Sequence, residues 1–131
     1  MGVVVDDLAE AKAFLGETLG FPLEREAEMD ELGLKAAFYR AGPVLIEAIE
    51  LVSADSPFRP LDNGAKARID HIAIEVEDAR EVMRALRADG VRALDVGSGD
   101  EPLAIGGNLS YWTEADSSDG VTYQLIQKGG G

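Results

Sequence analysis

The chain has one histidine, His71, and no cysteine, so any transition-metal chemistry must draw on His71, carboxylates and amides. On a strand, alternate residues share a face, and from Val44 to Glu50 this puts Glu47 with Leu45 and Ile49. A carboxylate between two apolar neighbours is costly unless it is paired, ligated or reached by water. Gln124 falls likewise between Thr122 and Ile126. Imidazole, carboxylate and amide oxygen are all acceptable ligands for a divalent cation of the Zn, Mn, Co or Ni type. Each residue also has a plainer reading. His71 can serve packing, Glu47 can sit at a wet sheet edge, and Gln124 can bond backbone.

What must position these residues is an internal repeat. Met1–Leu15 aligns with Ile72–Leu86 at a shift of 71, with Val5 on Val76, Asp7 on Asp78 and Glu10 on Glu81. Further along, Val44–Glu50 aligns with Val121–Gln127 at a shift of 77, which sets Glu47 on Gln124. In each half a β-branched run leads into Asp-x-x-Glu, a helix start whose Asp can accept from a free backbone N–H. Each helix should stop at a left-handed glycine, Gly20 or Gly90.

The expected order is strand, helix, then three strands, twice. In the first half strands are predicted at 1–5, 24–29, 34–41 and 44–52, with a helix at 8–19 and a turn at Gly42-Pro43. In the second half they are predicted at 70–76, 92–96, 108–114 and 121–127, with a helix at 79–89 and a polar turn over Asp116–Gly120. Ile72, Ile74 and Val76 should pack under the helices while His71, Ala73 and Glu75 point the other way. The expected organisation is a single domain over 1–131: module one at 1–52, a linker at 53–68 with Pro57 and Pro60, and module two at 69–128. Gly129–Gly131 reads as a flexible tail.

Composition narrows the partners. With 12 basic and 25 acidic residues the net charge is −13, a field that repels polyanionic nucleic acid and anionic lipid surfaces. No apolar run is long enough to span a bilayer, and no secretory signal precedes the first helix. The expectation is a cytoplasmic protein acting on a small molecule, with no nucleic acid and no membrane. Open strand edges make a homodimer the expected assembly.

The stretches Val5-Asp-Asp-Leu-Ala-Glu-Ala-Lys-Ala-Phe, Leu19-Gly-Phe, Glu31-Leu-Gly, Asp55-Ser-Pro, Asp70-His-Ile-Ala-Ile-Glu-Val, Gly106-Gly-Asn and Gly120-Val-Thr-Tyr-Gln-Leu resemble the vicinal oxygen chelate (glyoxalase/bleomycin resistance/dioxygenase) superfamily, in particular its methylmalonyl-CoA epimerase branch. The resemblance implies an α+β fold of two tandem βαβββ modules, with an open, cup-shaped mixed sheet and helices outside. It implies metal ligands at Glu47, His71 and Gln124, with Glu and Gln exchanged between the modules relative to the epimerase pattern. The repeat partner of His71 would be a fourth ligand, and 71 − 71 = 0 places it one residue before Met1, so one expected His is missing from this chain. Glu31 matches a glutamate implicated in proton transfer in that branch.

Two functional readings follow. In the first, a metal-dependent isomerase or epimerase, or a lyase of the same superfamily, removes a proton next to a carbonyl, with Glu47 and Glu31 as the available acids. Charge opposes a CoA substrate, and Lys66, Arg68 and Arg92 are candidates to offset it. In the second, a metal-free binding protein of the bleomycin-resistance type draws a cationic ligand into an acidic cup and stacks it on Phe38, Tyr111 or Trp112.

Overall fold

The computed structural model describes residues 1–129, so the tail expected at Gly129–Gly131 lies, past Gly129, outside the described residues. The chain divides into two compact units, Met1–Asp70 and His71–Gly131.

In the first unit β1 (Gly2–Val5) leads to α1 (Leu8–Lys12), then β2 (Leu23–Met29), β3 (Leu34–Ala41) and β4 (Val44–Leu51). The strand order is β2-β3-β4-β1, antiparallel except that β1 runs parallel to β4. Asp7 accepts from the Glu10 amide at 3.2 Å, as the Asp-x-x-Glu spacing predicts. The α-helix is shorter than expected. After Lys12 the backbone widens into a π-helix over Ala13–Thr18, which ends before Gly20 at φ 75°. Gly16 lies close over Tyr39 there: a Cβ on it would meet the Tyr39 ring at 3.3 Å. Val5, Leu8, Ala37, Tyr39 and Ala48 form the core beneath the helix, joined by Val3, Ala11, Leu15 and Phe21.

In the second unit β5 (Ala67–Glu75) pairs through His71–Glu75 in parallel with β8 (Thr122–Gln127), and the order is β5-β8-β7-β6. The crossover helix α2 (Ala79–Ala88) is capped by Asp78, which accepts from the Glu81 amide at 3.1 Å, and it ends before Gly90 at φ 91°. β7 is Asn108–Trp112. Ala79, Met83, Tyr111 and Leu125 make the core.

Two expectations fail here. The strand predicted at 92–96 is a single bridge, Ala93 to Thr113, and the fourth strand is β6 at Leu103–Ile105. Gly106 and Gly107, both at positive φ, form a two-residue hairpin turn that closes Ile105 against Asn108. This geometry suits the twist of paired strands and so fixes the strand beside it. The second failure is on β5, where Ile72 and Ile74 are 42% and 43% exposed. Met83 and Ala79 of α2 seat on Tyr111 of β7 and Leu125 of β8, so the helix lies away from β5 and leaves those isoleucines uncovered.

The fold class is as predicted: α+β, two βαβββ modules in tandem, in which each helix covers one face of a mixed sheet. The modules share a detail that the sequence pattern did not reveal. The Leu8 amide donates to Glu50 Oε1 at 2.9 Å, and the Ala79 amide donates to Gln127 Oε1 at 2.9 Å. Leu8 and Ala79 are equivalent at the shift of 71, and Glu50 and Gln127 at the shift of 77. In both modules the last strand therefore reaches over to satisfy a free N–H of the helix start. Among the described residues no helix is long and apolar enough to cross a membrane.

Candidate functional site

The face of the first unit away from α1 is built in rows across the strands. Ile49 of β4 lies between Val4 of β1 and Ala36 of β3, and all three are at most 2% exposed. One row along, Glu47 lies between Gly2 and Phe38. As alternation predicts, Glu47 interrupts an apolar face and is half-buried there. Its amide donates to the Met1 carbonyl at 2.8 Å, and the Met1 ammonium donates to the Leu45 carbonyl at 2.9 Å. Burial lowers the pKa of that ammonium from its ordinary 8.0, and the Glu47 charge pulls it partly back.

On the corresponding face of the second unit, Gln124 lies between Ala73 and Trp112. Its Nε2 donates to Ser110 Oγ at 3.1 Å, and Ser110 is 3% exposed. With Nε2 held in this way, Oε1 is the amide atom suited to ligation. His71 faces the same side, opposite Thr122, and is 3% exposed. Gly2 and Ala73 are repeat equivalents, so Glu47 and Gln124 occupy the same register position in their two modules.

Glu31 is placed differently. It is exposed in the one-turn 3₁₀-helix Asp30–Leu32 beyond the Leu34–Leu51 pair, four residues along from the Glu47 row. At 3.3–3.4 Å per residue this is about 13 Å along the strands. The structure brings His71 and Gln124 onto one face of the second unit, and it does not bring Glu31 onto the Glu47 row. Among the described residues no group of three or more His, Cys, Asp or Glu is arranged to hold a metal, so any such centre needs the Gln124 amide as a donor.

The accessory residues are sorted just as clearly. Phe38 and Trp112 neighbour Glu47 and Gln124, whereas Tyr111 faces α2 in the core and cannot stack on a ligand opposite. The three candidate cations for CoA are all engaged by the protein itself. Lys66 pairs with Glu10 at 3.2 Å, and Arg92 with Glu114 and Asp116 at 2.7 and 2.8 Å. Arg68 pairs with Asp70 at 3.0 Å and donates to the Pro60 and Arg59 carbonyls. Sequence reasoning missed Ser110, which no periodicity singles out, and Arg25, whose guanidinium lies 3.9 Å from the centre of the Phe38 ring.

Residues 1–106 match the family model described as Glyoxalase/Bleomycin resistance protein/Dioxygenase superfamily. Over 128 residues the chain is 24% identical to the mitochondrial methylmalonyl-CoA epimerase of Mus musculus, covering 97% of this chain and 70% of the relative. An uncharacterized protein of Bacillus subtilis is 28% identical over 95 residues, 72% of this chain and 68% of that one. Among solved structures, a hypothetical protein of Bacillus halodurans superposes with a TM-score of 0.82 at 25% identity, covering 99% and 92% of the two chains. The methylmalonyl-CoA epimerase of Mycobacterium tuberculosis superposes with a TM-score of 0.80 at 20% identity, covering 98% and 85%.

Proposed function

The chain belongs to the glyoxalase/bleomycin resistance protein/dioxygenase superfamily, and on that premise we propose that it is a metal-dependent isomerase or epimerase that removes a proton next to a carbonyl, on a substrate of the methylmalonyl-CoA kind. The observation that carries this reading is the matched register of Glu47 and Gln124, each a polar group interrupting the helix-free face of its module. Glu47, His71 and Gln124 are the residues that would hold a Zn, Mn, Co or Ni ion. When bound, the ion would supply Lewis-acid polarisation of a carbonyl.

Glu47 is the acid in the wall beside Phe38. A carboxylate has two oxygens, so one can ligate while the other takes the proton from carbon. The C–H electron pair then moves into the carbonyl as the enolate forms, and return of a proton to the opposite face of that carbon gives the epimer. Glu31, about 13 Å along the strands from the Glu47 row, is assigned no part in that step. Phe38 flanks the acid on the β3 side and forms the apolar part of that wall.

The experiment is a melting series in Mn, Co, Ni and Zn. Each ion should raise Tm in wild type; Glu47→Gln should abolish the rise and Gln124→Ala should weaken it less. With methylmalonyl-CoA in deuterated water, wild type should place deuterium on the substrate and Glu47→Gln should not. No rise with any ion overturns the metal reading. The net charge of −13, which draws cationic ligands, favours a second reading, a metal-free small-molecule binder of the bleomycin-resistance type. That reading would then lead. We also propose a homodimer, and a light-scattering mass of 13.9 kDa at micromolar concentration would refute it.

A further inference from the structure

We propose that Arg25 is the oxyanion-recognition residue of the Glu47 face, an inference that rests on reading that face as the substrate site. The strand register shows how it comes to be there. Leu23 of β2 pairs with Tyr39, but the next pair is Arg25 with Phe38, so Glu24 is an extra, bulged residue. Without the bulge, Glu24 would oppose Phe38 and place another carboxylate on the face that already carries Glu47. With it, Arg25 takes the place, and Glu24 pairs with Arg40 at 2.8 Å. A β-bulge re-aims side chains in this way and is over-represented beside functional sites.

Arg25 is exposed, and its guanidinium makes no ion pair with any described residue, in a chain where acids outnumber bases 25 to 12. Glu24 is its acidic neighbour, and that carboxylate is bonded to Arg40. The guanidinium lies over the Phe38 ring at 3.9 Å, and its planar fork of N–H donors suits a two-pronged bond to an oxyanion. Arg25, Phe38 and Glu47 form one row across β2, β3 and β4. Two strand spacings make about 9–10 Å between the outer backbones, and both outer side chains can lean inward over Phe38.

The ligand class that fits is a small carbon acid bearing a carboxylate or phosphate, with the anion on Arg25 and the reactive C–H near Glu47. A cation held over the face also provides the local attraction that a net charge of −13 otherwise denies such a ligand.

The test uses malonate and inorganic phosphate as probes, without metal and with chelator, on wild type, Arg25→Gln, Arg25→Lys and Arg40→Gln. Binding is read by NMR at the arginine Nε–H and Phe38 ring signals, with thermal melts confirming that each variant is folded. Wild type should bind one or both probes saturably in the millimolar range, with the Arg25 signal moving. Loss of the two-pronged bond should weaken binding about tenfold or more in Arg25→Gln, with Arg25→Lys between, and less than about twofold in Arg40→Gln. The probe that binds more tightly identifies the anion as carboxylate or phosphate. Equal binding by wild type and Arg25→Gln, an equal loss in Arg40→Gln, or no saturable binding of either probe overturns the proposal. If probe binding depends on Arg25 but no metal raises Tm, this inference stands and the metal reading falls; the reverse pattern sinks only this inference.

Discussion

Glu47 and Arg68 show two ways of keeping a charge within a sheet. Arg68 is clamped: its guanidinium bonds Asp70 at 3.0 Å and the carbonyls of Pro60 and Arg59 at 2.8 and 2.7 Å, which ties the segment after β4 to the start of β5. The Asp70 side chain is only 8% exposed, so Arg68→Met would take the ion-pair partner Arg68 from a buried carboxylate and the donor from two carbonyls. We expect a loss of about 2–4 kcal/mol in urea unfolding. A change under 1 kcal/mol would show that the clamp is dispensable. On the surface, the Arg40 guanidinium beside Glu24 holds that carboxyl below its ordinary 4.5. A lowered folded pKa stabilises the fold above the unfolded value, and this contribution fades as pH falls through the folded one. In an NMR titration Arg40→Gln should move the Glu24 midpoint upward toward 4.5.

At the scale of elements, glycines and cap partners decide where chain segments meet. Gly33, at φ 63°, accepts from the amides of Val52 and Ser53, and a Cβ there would lie 2.7 Å from the Ser53 Cβ. Gly20, at φ 75°, has nothing within 4 Å of the same position. Gly20→Ala should therefore cost about 1 kcal/mol from backbone conformation alone. Gly33→Ala should cost about 2 kcal/mol or more, because a clash with the Ser53 Cβ is added. Equal losses in thermal melts would contradict the packing at Gly33. The caps supplied by Glu50 and Gln127 are each worth about 1 kcal/mol, so Gln127→Ala should speed amide exchange at the start of α2 while leaving its C-terminal turn protected.

For the molecule as a whole, a charge of −13 on 131 residues is a repulsion that the compact state must bear. Salt screens it: between about 0.02 and 0.3 M NaCl the Debye length falls from roughly 20 Å to under 8 Å. Tm should rise by a few degrees over that range at pH 7, and a flat response would mean that the ion pairs already neutralise the surface locally. Lys12–Glu26, Lys66–Glu10 and the Arg92 pairs are such local neutralisers, and they are exposed enough to weaken in the same salt.

The repeat, both Asp caps, both terminal glycines and the polar anomalies at Glu47 and Gln124 were legible in the sequence, because each rests on local spacing or on alternation, which the backbone enforces by itself. The strand expected at 92–96 was not, since the Gly106-Gly107 turn that selects 103–105 outweighs the apolar content of the earlier segment. The cover of Ile72 and Ile74 was misjudged, because alternation tells which face a side chain takes but not which strand a helix lies over. Lys66 and Arg92 read as free to meet a ligand because folding brings their acidic partners to them, from 56 residues away for Lys66 and 22 and 24 for Arg92, and Arg68 because folding brings it the Arg59 and Pro60 carbonyls. Arg25 escaped notice for the opposite reason: a one-residue bulge reverses which face it takes, and a register shift has no signature in the residues that undergo it.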